Sequence, residues 1–302
     1  MTIADEIVDK LIVHPGNKAN LAGRETGWKG GEAFAGLATD DLKAFARKRL
    51  QEFVDALAEA QKLLWASDTH SLLLIFQALD AAGKDGTIKH IMSGVNPQGC
   101  QVFSFKQPSA EEVDHNFLWR ASRALPERGR IGIFNRSYYE DVLVVRVHPE
   151  FLDKQQLPPG TPKGAKLWKQ RYEDINAFER HLDRNGTKVL KFFLHVSKEE
   201  QRRRFLSRVD HPNKYWKFSP TDLKERAHWD EYMKAFEDAL TATSTANAPW
   251  YVIPADHKYV MRTMVAGIVV RSINALDLAY PTVGQDKLEA IEKARAELMA
   301  EA

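Results

Sequence analysis

A lysine and two acidic residues lie close together in a loop that is rich in alanine and glycine. Asp80, Lys84 and Asp85 stand among alanines and glycines in the stretch DAAGKDGTIKH, residues 80–90. The apolar run before it, 72–76, is typical of a strand buried on both faces of a parallel sheet, and the helix expected after it is predicted to be capped by Thr87. Backbone N–H groups and the positive end of a helix dipole would both face this loop, which favours phosphate binding.

The loop matches the phosphate-loop pattern G-x-x-x-x-G-K-S/T only in part. Ala78 stands at the first glycine, and Asp85 stands at the hydroxyl residue that would ligate magnesium. Asp80 and Asp85 would repel a phosphate chain unless a divalent cation lies between, or unless one carboxylate activates an attacking phosphate oxygen. We interpret the loop as a phosphoryl-transfer site, with an ordinary strand-to-helix turn as the alternative.

Two further groups of polar residues could serve the same chemistry. Residues 135–141 follow a second short apolar run, 131–134, and open α/β sheets bind their ligands just past the carboxyl ends of strands. An ion-paired surface is the alternative interpretation for that group. Arg204 and Arg208 share one face of a helix for which Ser197 and Glu200 predict a capping box.

Composition limits the classes of protein that this chain can be. Its 302 residues are 44% hydrophobic and 28% charged, enough for a sizeable core. Without an 18-residue apolar run or a charged-then-apolar leader, we expect a soluble, cytoplasmic protein that contacts no membrane. Cys100 is the only cysteine, which excludes an internal disulfide and a thiolate metal cluster. The net charge is +2, but residues 198–217 hold seven basic residues against three acidic ones, which favours a polyanionic partner.

The elements that position these residues alternate between strands and helices, which predicts one parallel α/β sandwich. The predicted strands are 72–76, 101–105, 131–134, 189–196 and 250–253. The predicted helices are 41–64, 111–125, 169–183, one that follows Ser197, 219–240 and 260–276. Residues 1–38 are predicted to be an irregular arm, 39–282 a catalytic domain with a lid at about 209–240, and 283–302 a helical tail that packs on a partner subunit.

Laid out in this order, the segments resemble the polyphosphate kinase 2 family, P-loop kinases that use inorganic polyphosphate as phosphoryl donor to nucleotides. The motifs are DAAGKDGTIKH (80–90), FLWR (117–120), IGIFNRSYYEDVLVVRVH (131–148), EEQRRRF (199–205) with Arg208, KYWKFSPTDLKERAHWDEY (214–232) and APWYVIPADHK (248–258). The resemblance covers about residues 40–275. It implies a P-loop kinase-like three-layer α/β/α sandwich with a five-stranded parallel sheet and a helical lid. The form FNRS-YYEDVL resembles members that act on both nucleoside mono- and diphosphates.

The resemblance also implies a role for individual residues. Catalysis would fall to Asp80, Lys84, Arg136, Arg204 and Arg208, with Asp80 as the candidate ligand of Mg²⁺ (or Mn²⁺). Phosphate or polyphosphate would be bound by Ala82, Gly83, Asp85, Gly86, Thr87, Lys89, Lys106, Lys214 and Lys217. The nucleotide would be bound by Asn116, Arg120, Asn135, Glu140 and Asp141. Leu79 and Asn135 depart from the family pattern, since many members have an arginine at the first position and others an aspartate at the second.

The leading hypothesis is a Mg-dependent phosphotransferase that moves the terminal phosphate of polyphosphate to AMP and/or ADP. One alternative is an ATP-dependent nucleotide or small-metabolite kinase, and another is a non-catalytic module that binds polyanions or RNA. No basic recognition element is visible, so we expect no sequence-specific nucleic-acid partner. We expect a homo-oligomer, either a dimer or a tetramer.

Overall fold

The computed structural model describes residues 2–31 and 38–301, and its centre is one mixed sheet. The strands of that sheet are β1 (Ile12–Val13), β2 (Ser71–Gln77), β3 (Cys100–Ser104), β4 (Ile131–Asn135), β5 (Thr187–His195) and β6 (Trp250–Pro254). Their spatial order is β1-β6-β5-β2-β4-β3. Strands β2 to β6 are all parallel, and β1 pairs with β6 in the antiparallel direction.

The five parallel strands that the sequence predicts are confirmed, and the sixth strand is an addition to the prediction. With two residues, β1 is too short to show the alternation by which strands are recognised. The prediction of an irregular arm for residues 1–38 is wrong for its first part, because residues 5–11 form a helix that leads directly into β1. Residues 32–37 of that arm lie outside the described residues.

Helices cover both faces of the sheet. Within the described residues they are α1 (Asp5–Leu11), α2 (Thr39–Ser67), α3 (Lys84–Ile91), α4 (Ala110–Val113), α5 (Trp119–Ser122), α6 (Glu140–Val147), α7 (Glu150–Asp153), α8 (Ala165–Arg184), α9 (Lys198–Val209), α10 (Pro220–Ala227), α11 (Trp229–Thr243), α12 (Lys258–Asn274) and α13 (Gln285–Ala300). None of these helices is long and apolar enough to cross a membrane.

The three-layer architecture follows from the alternation of side chains along the buried strands. In β2, Leu72, Leu74 and Phe76 join a core with α1, α2, α3 and α12. Leu73 and Ile75 point the other way, into a second core with α6, α8 and α11. Because successive side chains of a strand point to opposite faces, one apolar run serves both cores. The predicted three-layer α/β/α sandwich is confirmed.

Several helix boundaries differ from the predictions. Helix α3 begins at Lys84 after Gly83, whose φ of 111° is left-handed, so Thr87 lies inside the helix and its hydroxyl donates to the Gly83 carbonyl. The predicted helix 111–125 is two short helices, α4 and α5. The predicted helix 219–240 is broken at His228 into α10 and α11.

Only half of the predicted capping box at the start of α9 is present. The Ser197 hydroxyl accepts a hydrogen bond from the Glu200 N–H at 3.0 Å, as predicted. The Ser197 N–H, however, donates to the Asp256 carboxylate at 2.8 Å. The Glu200 carboxylate is thereby left to pair with Arg203 and Arg204 instead.

Candidate active site

The loop between β2 and α3 encloses the buried amine of Lys84. Its Nζ donates a hydrogen bond to the Ala78 carbonyl at 2.9 Å. Burial lowers the pKa of Lys84, the nearby Arg136 guanidinium lowers it further, and Asp80 and Glu140 raise it in part. The amine lies within the loop, where a lysine ammonium can bind a phosphate as a point charge.

Two glycines, Gly83 just before α3 and Gly86 in its first turn, lie where this segment approaches α12. A Cβ added at Gly83 would lie 3.3 Å from Met261 Cε, and one added at Gly86 would lie 3.2 Å from Arg262 Nη2. Gly83 also adopts a left-handed φ that other residues rarely adopt. Ala82, between the loop and the core, is buried. These residues shape the loop through their small size.

Arg204 holds the loop from beneath. Its Nη1 donates to the carbonyls of Ala81 and Ala82 at 3.0 and 2.6 Å, and its Nη2 donates to the Ala255 carbonyl at 2.6 Å. Its Nε donates to the Glu200 carboxylate at 2.6 Å. With the guanidinium buried and bonded on all three nitrogens, Arg204 positions the loop, and it presents no free N–H edge to a transferred phosphoryl group.

Asp80 and Arg136 form an ion pair at the entrance to a cavity. Arg136 Nη2 donates to an Asp80 carboxylate oxygen at 3.0 Å, and both side chains are partly exposed. Burial alone would lower the pKa of Arg136, but Glu140 and Asp80 outweigh burial, so the pKa of Arg136 is raised. Gln201 in α9 donates to the Asp80 carbonyl at 2.9 Å and fixes the backbone there. The structure thus brings together two of the five predicted catalytic side chains at an open surface.

The cavity beside this ion pair has a volume of about 420 Å³ and lies on the α6 and α11 side of the sheet. Its polar wall carries several residues predicted from the sequence: Asp80, Lys106, Arg120, Arg136, Glu140 and Asp141. Its apolar wall includes Val144, Phe151, Trp229 and Phe236. A space with an apolar wall and converging charges is of the kind that binds a small molecule with one charged end.

Two of the acidic residues that line the cavity, Glu140 and Asp141, have pKa values raised by burial. Burial raises the pKa of Glu140, while Arg136 and Lys84 lower it in part. Burial also raises the pKa of Asp141, which Arg171 and Arg120 oppose. Asp141 additionally accepts a hydrogen bond from Gln155 Nε2 at 2.7 Å, so its side chain is held against the loop after α7.

Two of the predicted nucleotide-binding residues do not line this cavity. Asn135 donates from Nδ2 to the Asp85 carboxylate at 2.7 Å, which ties the end of β4 to the start of α3. The Asn116 side chain accepts a hydrogen bond from the Leu118 N–H at 3.1 Å and thereby supports the turn before α5. Leu79, which departs from the family pattern, lines the cavity beside Asp80.

The predicted basic residues are spread over three elements. Lys89 is exposed on α3, and Lys106 lies in the loop after β3. Lys214 donates to the Ser207 hydroxyl at 3.0 Å, and the Lys217 Nζ lies 4.8 Å from the centre of the Trp216 ring. Arg208 donates to the Lys217 carbonyl and to the Asp222 carboxylate, at 3.0 and 3.1 Å. Arg208 therefore links α9 to the segment that the sequence predicts as a lid.

The protein alone supplies few ligands for a metal ion. In residues 2–31 and 38–301, no three His, Cys, Asp or Glu side chains come together in a way that could hold one. Asp80 nevertheless presents a partly exposed carboxylate to the cavity, and Mg²⁺ is commonly bound by one or two carboxylates together with substrate phosphates. The donor set fits a metal that is shared with phosphates.

Sequence reasoning missed several residues that shape the site. Gln201 has an uncharged amide, so no charge marks it in the sequence as a site residue. It lies three residues before Arg204 and one helical turn before Phe205. Lys154 and Gln155 belong to the Pro-, Gly- and Lys-rich segment 153–166, whose composition does not point to a binding role, yet both line the cavity. Tyr232 and Trp229 lie beyond the unexpected break at His228, and both line the cavity.

The fold and the loop define an α/β protein of the P-loop kinase-like class. A family model described as polyphosphate kinase 2 matches residues 41–280. The chain is 52% identical over 259 residues to the ADP-polyphosphate phosphotransferase of Rhodopseudomonas palustris, covering 86% of this chain and 90% of that protein. It is 44% identical over 249 residues to the AMP/ADP-polyphosphate phosphotransferase of Meiothermus ruber, covering 80% and 88%.

A solved structure agrees with these relatives. The crystal structure of polyphosphate kinase 2 from Arthrobacter aurescens superimposes with a TM-score of 0.83 at 38% sequence identity, covering 97% of this chain and 95% of that one. The chain belongs to the polyphosphate kinase 2 family. The family resemblance inferred from the motifs is therefore confirmed.

Proposed function

We propose that the protein is a polyphosphate-dependent nucleotide kinase that transfers the terminal phosphate of inorganic polyphosphate to AMP and/or ADP. The observation that carries the proposal is the junction of the phosphate loop with the cavity. The Asp80–Arg136 ion pair, 3.0 Å long, lies at that junction, with Lys84 buried in the loop behind it. Membership in the family, with relatives named for AMP and ADP as acceptors, supports the same function.

The acceptor nucleotide is assigned to the cavity. Its volume of about 420 Å³ accommodates a nucleoside, with the apolar wall against the base and the charged wall against the phosphate. Arg120 and Lys106 supply positive charge on that wall. The acceptor phosphate would thus reach Arg136 from the cavity side.

The polyphosphate donor is assigned to the basic side chains around the loop. A long polyanion is bound by a row of cations, and Lys89, Lys214 and Lys217 are available on α3 and on the predicted lid. Lys84 binds the phosphate nearest the loop. Arg136 meets the negative charge of the transferred phosphoryl group, because phosphoryl transfer depends mainly on positioning and on charge neutralisation.

A divalent metal ion, Mg²⁺ or Mn²⁺, is the cofactor of the proposed reaction. Asp80 is the carboxylate that would hold Mg²⁺ (or Mn²⁺), and the ion would supply charge neutralisation between donor and acceptor phosphates. Asp85 is bonded to Asn135 and is a second carboxylate on the same loop. The lid, residues 209–240, would exclude water that otherwise hydrolyses the donor.

The test is direct turnover by the purified protein. AMP and ADP are incubated separately with Mg²⁺ and long-chain polyphosphate, and the products are separated by chromatography. We expect ADP or ATP to form, and EDTA to abolish its formation. A preparation that phosphorylates these nucleotides from ATP alone, or that binds polyphosphate without turnover, would contradict the proposal.

Matched variants connect the activity to the site. K84M and D80N are expected to reduce turnover by at least about a hundredfold, since each removes a charge that faces the phosphates. K62M and D55N change the same residue types on the exposed face of α2, where Lys62 pairs with Glu59. These two variants should retain the activity of the unmodified protein.

A further inference from the structure

A fully buried ion pair lies beneath the site, on the α8 side of the sheet. Lys191 in β5 and Glu179 in α8 are 2.6 Å apart, and neither side chain is exposed to solvent. The Lys191 Nζ also donates to the Thr243 carbonyl at 2.6 Å and to the Tyr139 hydroxyl at 2.9 Å, so its three N–H groups are all used. Burial lowers the pKa of Lys191, and Glu179 raises it in part.

Two consecutive tyrosines connect this pair to the motif that carries Arg136. The hydroxyls of Tyr138 and Tyr139 each donate to the same Glu179 oxygen at 2.9 Å. Both rings are fully buried, and Tyr139 packs edge-on against Trp250. The tyrosines separate Arg136 from Glu140, which both line the cavity. The tyrosines that contact the buried pair thus lie two residues after Arg136 and directly before Glu140.

The segment that the tyrosines hold is strained. Arg136 has a φ of 66°, a left-handed value that is costly for any residue with a Cβ. Its N–H donates to the Phe76 carbonyl at 3.0 Å, and the Ser137 hydroxyl accepts from Gln77 Nε2 and from the Tyr139 N–H, both at 3.2 Å. A strained conformation persists only where its surroundings fix it, and the hydroxyl bonds to Glu179 are among the contacts that hold this segment.

Stability alone is a weak explanation for such a pair. Replacing a buried ion pair by apolar residues of similar volume is often neutral or stabilising, because the desolvation of two charges costs about as much as their attraction returns. The pair is better explained by its geometry, since three hydrogen bonds join it to the hydroxyls of two tyrosines that lie next to the site.

We propose that the Glu179–Lys191 pair is a positioning device for the site. It holds Tyr138 and Tyr139 from beneath and so fixes Arg136 and Glu140 toward the cavity. The pair touches no substrate, so both residues are positioning residues. The kinetic part of this inference rests on the proposed function, whereas the structural part does not.

The kinetic test removes the two hydroxyls and keeps the rings. Y138F/Y139F is expected to lower kcat about tenfold, because a small displacement of Arg136 is costly, while the KM for AMP or ADP changes less. In an R136A background the same two substitutions should lower kcat by a clearly smaller factor, because the part of their effect that passes through Arg136 is already lost. An equal loss in both backgrounds, or an unchanged kcat in the folded double variant, would overturn the proposal.

Tyr172, which lies on α8 as Glu179 does, provides a matched control. Tyr172 of α8 is buried and accepts a hydrogen bond from Arg146 at 2.9 Å, away from Glu179. Y172F should leave kcat unchanged. If Y138F/Y139F does not fold, Y138F serves instead, since Tyr139 then still donates to Glu179 and accepts from Lys191.

Amide hydrogen exchange tests the structural part without any assay of activity. Peptides that cover residues 135–140 should exchange faster in Y138F/Y139F than in the unmodified protein, while peptides from β5 should not change. Unchanged exchange at 135–140 would overturn the proposal even if the enzyme proves inactive with polyphosphate. Absence of polyphosphate turnover in the unmodified protein would contradict the proposed function alone.

Discussion

Arg136 and Arg204 are both arginines of this site, but one is partly exposed to the cavity and the other is buried. The family resemblance implies a catalytic role for both, with Arg136 at the transferred phosphoryl group and Arg204 at the base of the lid. Arg136 is partly exposed at the cavity and pairs only with Asp80 among the contacts described, whereas Arg204 is buried and bonded to loop carbonyls and to Glu200. The sequence reveals that a helix face carries arginines, but it does not reveal that backbone carbonyls lie opposite that face.

The first prediction concerns Arg204. R204K should lower the free energy of unfolding by about 1–3 kcal/mol, because an ammonium group cannot satisfy the buried carbonyls and Glu200 together. Urea unfolding measures the loss. R203K is the matched control, because Arg203 pairs with the same Glu200 from an exposed position and should change stability by no more than about 0.5 kcal/mol. Equal losses of unfolding free energy in the two variants would contradict the role of Arg204 in holding the loop.

The second prediction concerns the charge of Lys84. Burial lowers the pKa of Lys84 and Arg136 lowers it further, so in the free enzyme the amine loses its proton at a lower pH than an ordinary lysine. Because the charged form binds phosphate, kcat/KM for polyphosphate should fall as the pH rises through this lowered pKa. K84R stays charged over the same range and should lose that alkaline decline, whatever its absolute rate. Profiles of the same shape for the two proteins would refute the assignment.

At the scale of elements, the sequence predicts the strands and helices that have a periodic apolar pattern. It does not predict the local features that set where a helix begins or breaks. The five parallel strands are found because their apolar or alternating runs are long enough to be recognised, and the long amphipathic α2 is found for the same reason. The start of α3 is misplaced because Gly83 ends the loop in a left-handed conformation, and a sequence gives no φ angle. The break at His228 could not be predicted in the same way, because no proline or glycine lies at that position.

The third prediction tests the element predicted as a lid. The 3₁₀ turn Pro212–Lys217 presents Trp216, which is 78% exposed and lies beside Lys217. Polyphosphate bound along Lys214 and Lys217 would change the surroundings of this indole, so its fluorescence should shift when polyphosphate is added. The shift should disappear in W216F and persist in W65F, whose indole lies on α2. A shift that survives in W216F would place the donor elsewhere.

At the scale of the whole molecule, three separate segments meet at one edge of the sheet. The loop with Asp80 and Lys84 follows β2, the motif with Arg136 and Glu140 follows β4, and the helix with Arg204 and Arg208 follows β5. The carboxyl ends of adjacent parallel strands lie side by side, so residues far apart in the chain come together. This meeting point could be predicted from the sequence. The order of the strands, which decides that β2 lies between β4 and β5, could not.

The last prediction concerns the C-terminal helix α13. No residue of this helix is buried, and Leu288, Ile291 and Leu298 are exposed on it. Removing residues 284–302 therefore takes nothing from either core, and the truncated protein should keep its melting temperature within a few degrees and its activity per subunit. Apolar side chains at helical spacing need a partner in water, so we expect the full chain to sediment as a dimer or tetramer and the truncated chain at a smaller mass.

A substitution variant separates the helix surface from the length of the chain. L288Q/I291Q/L298Q keeps α13 and removes only its apolar stripe, so it should sediment as the truncated protein does. Phe45 and Trp65 are also exposed, but they lie on α2, and W65Q should not change the mass. If the truncated and triple-substituted proteins keep the mass of the full chain, subunits associate through the catalytic domain, and α13 has no part in the assembly.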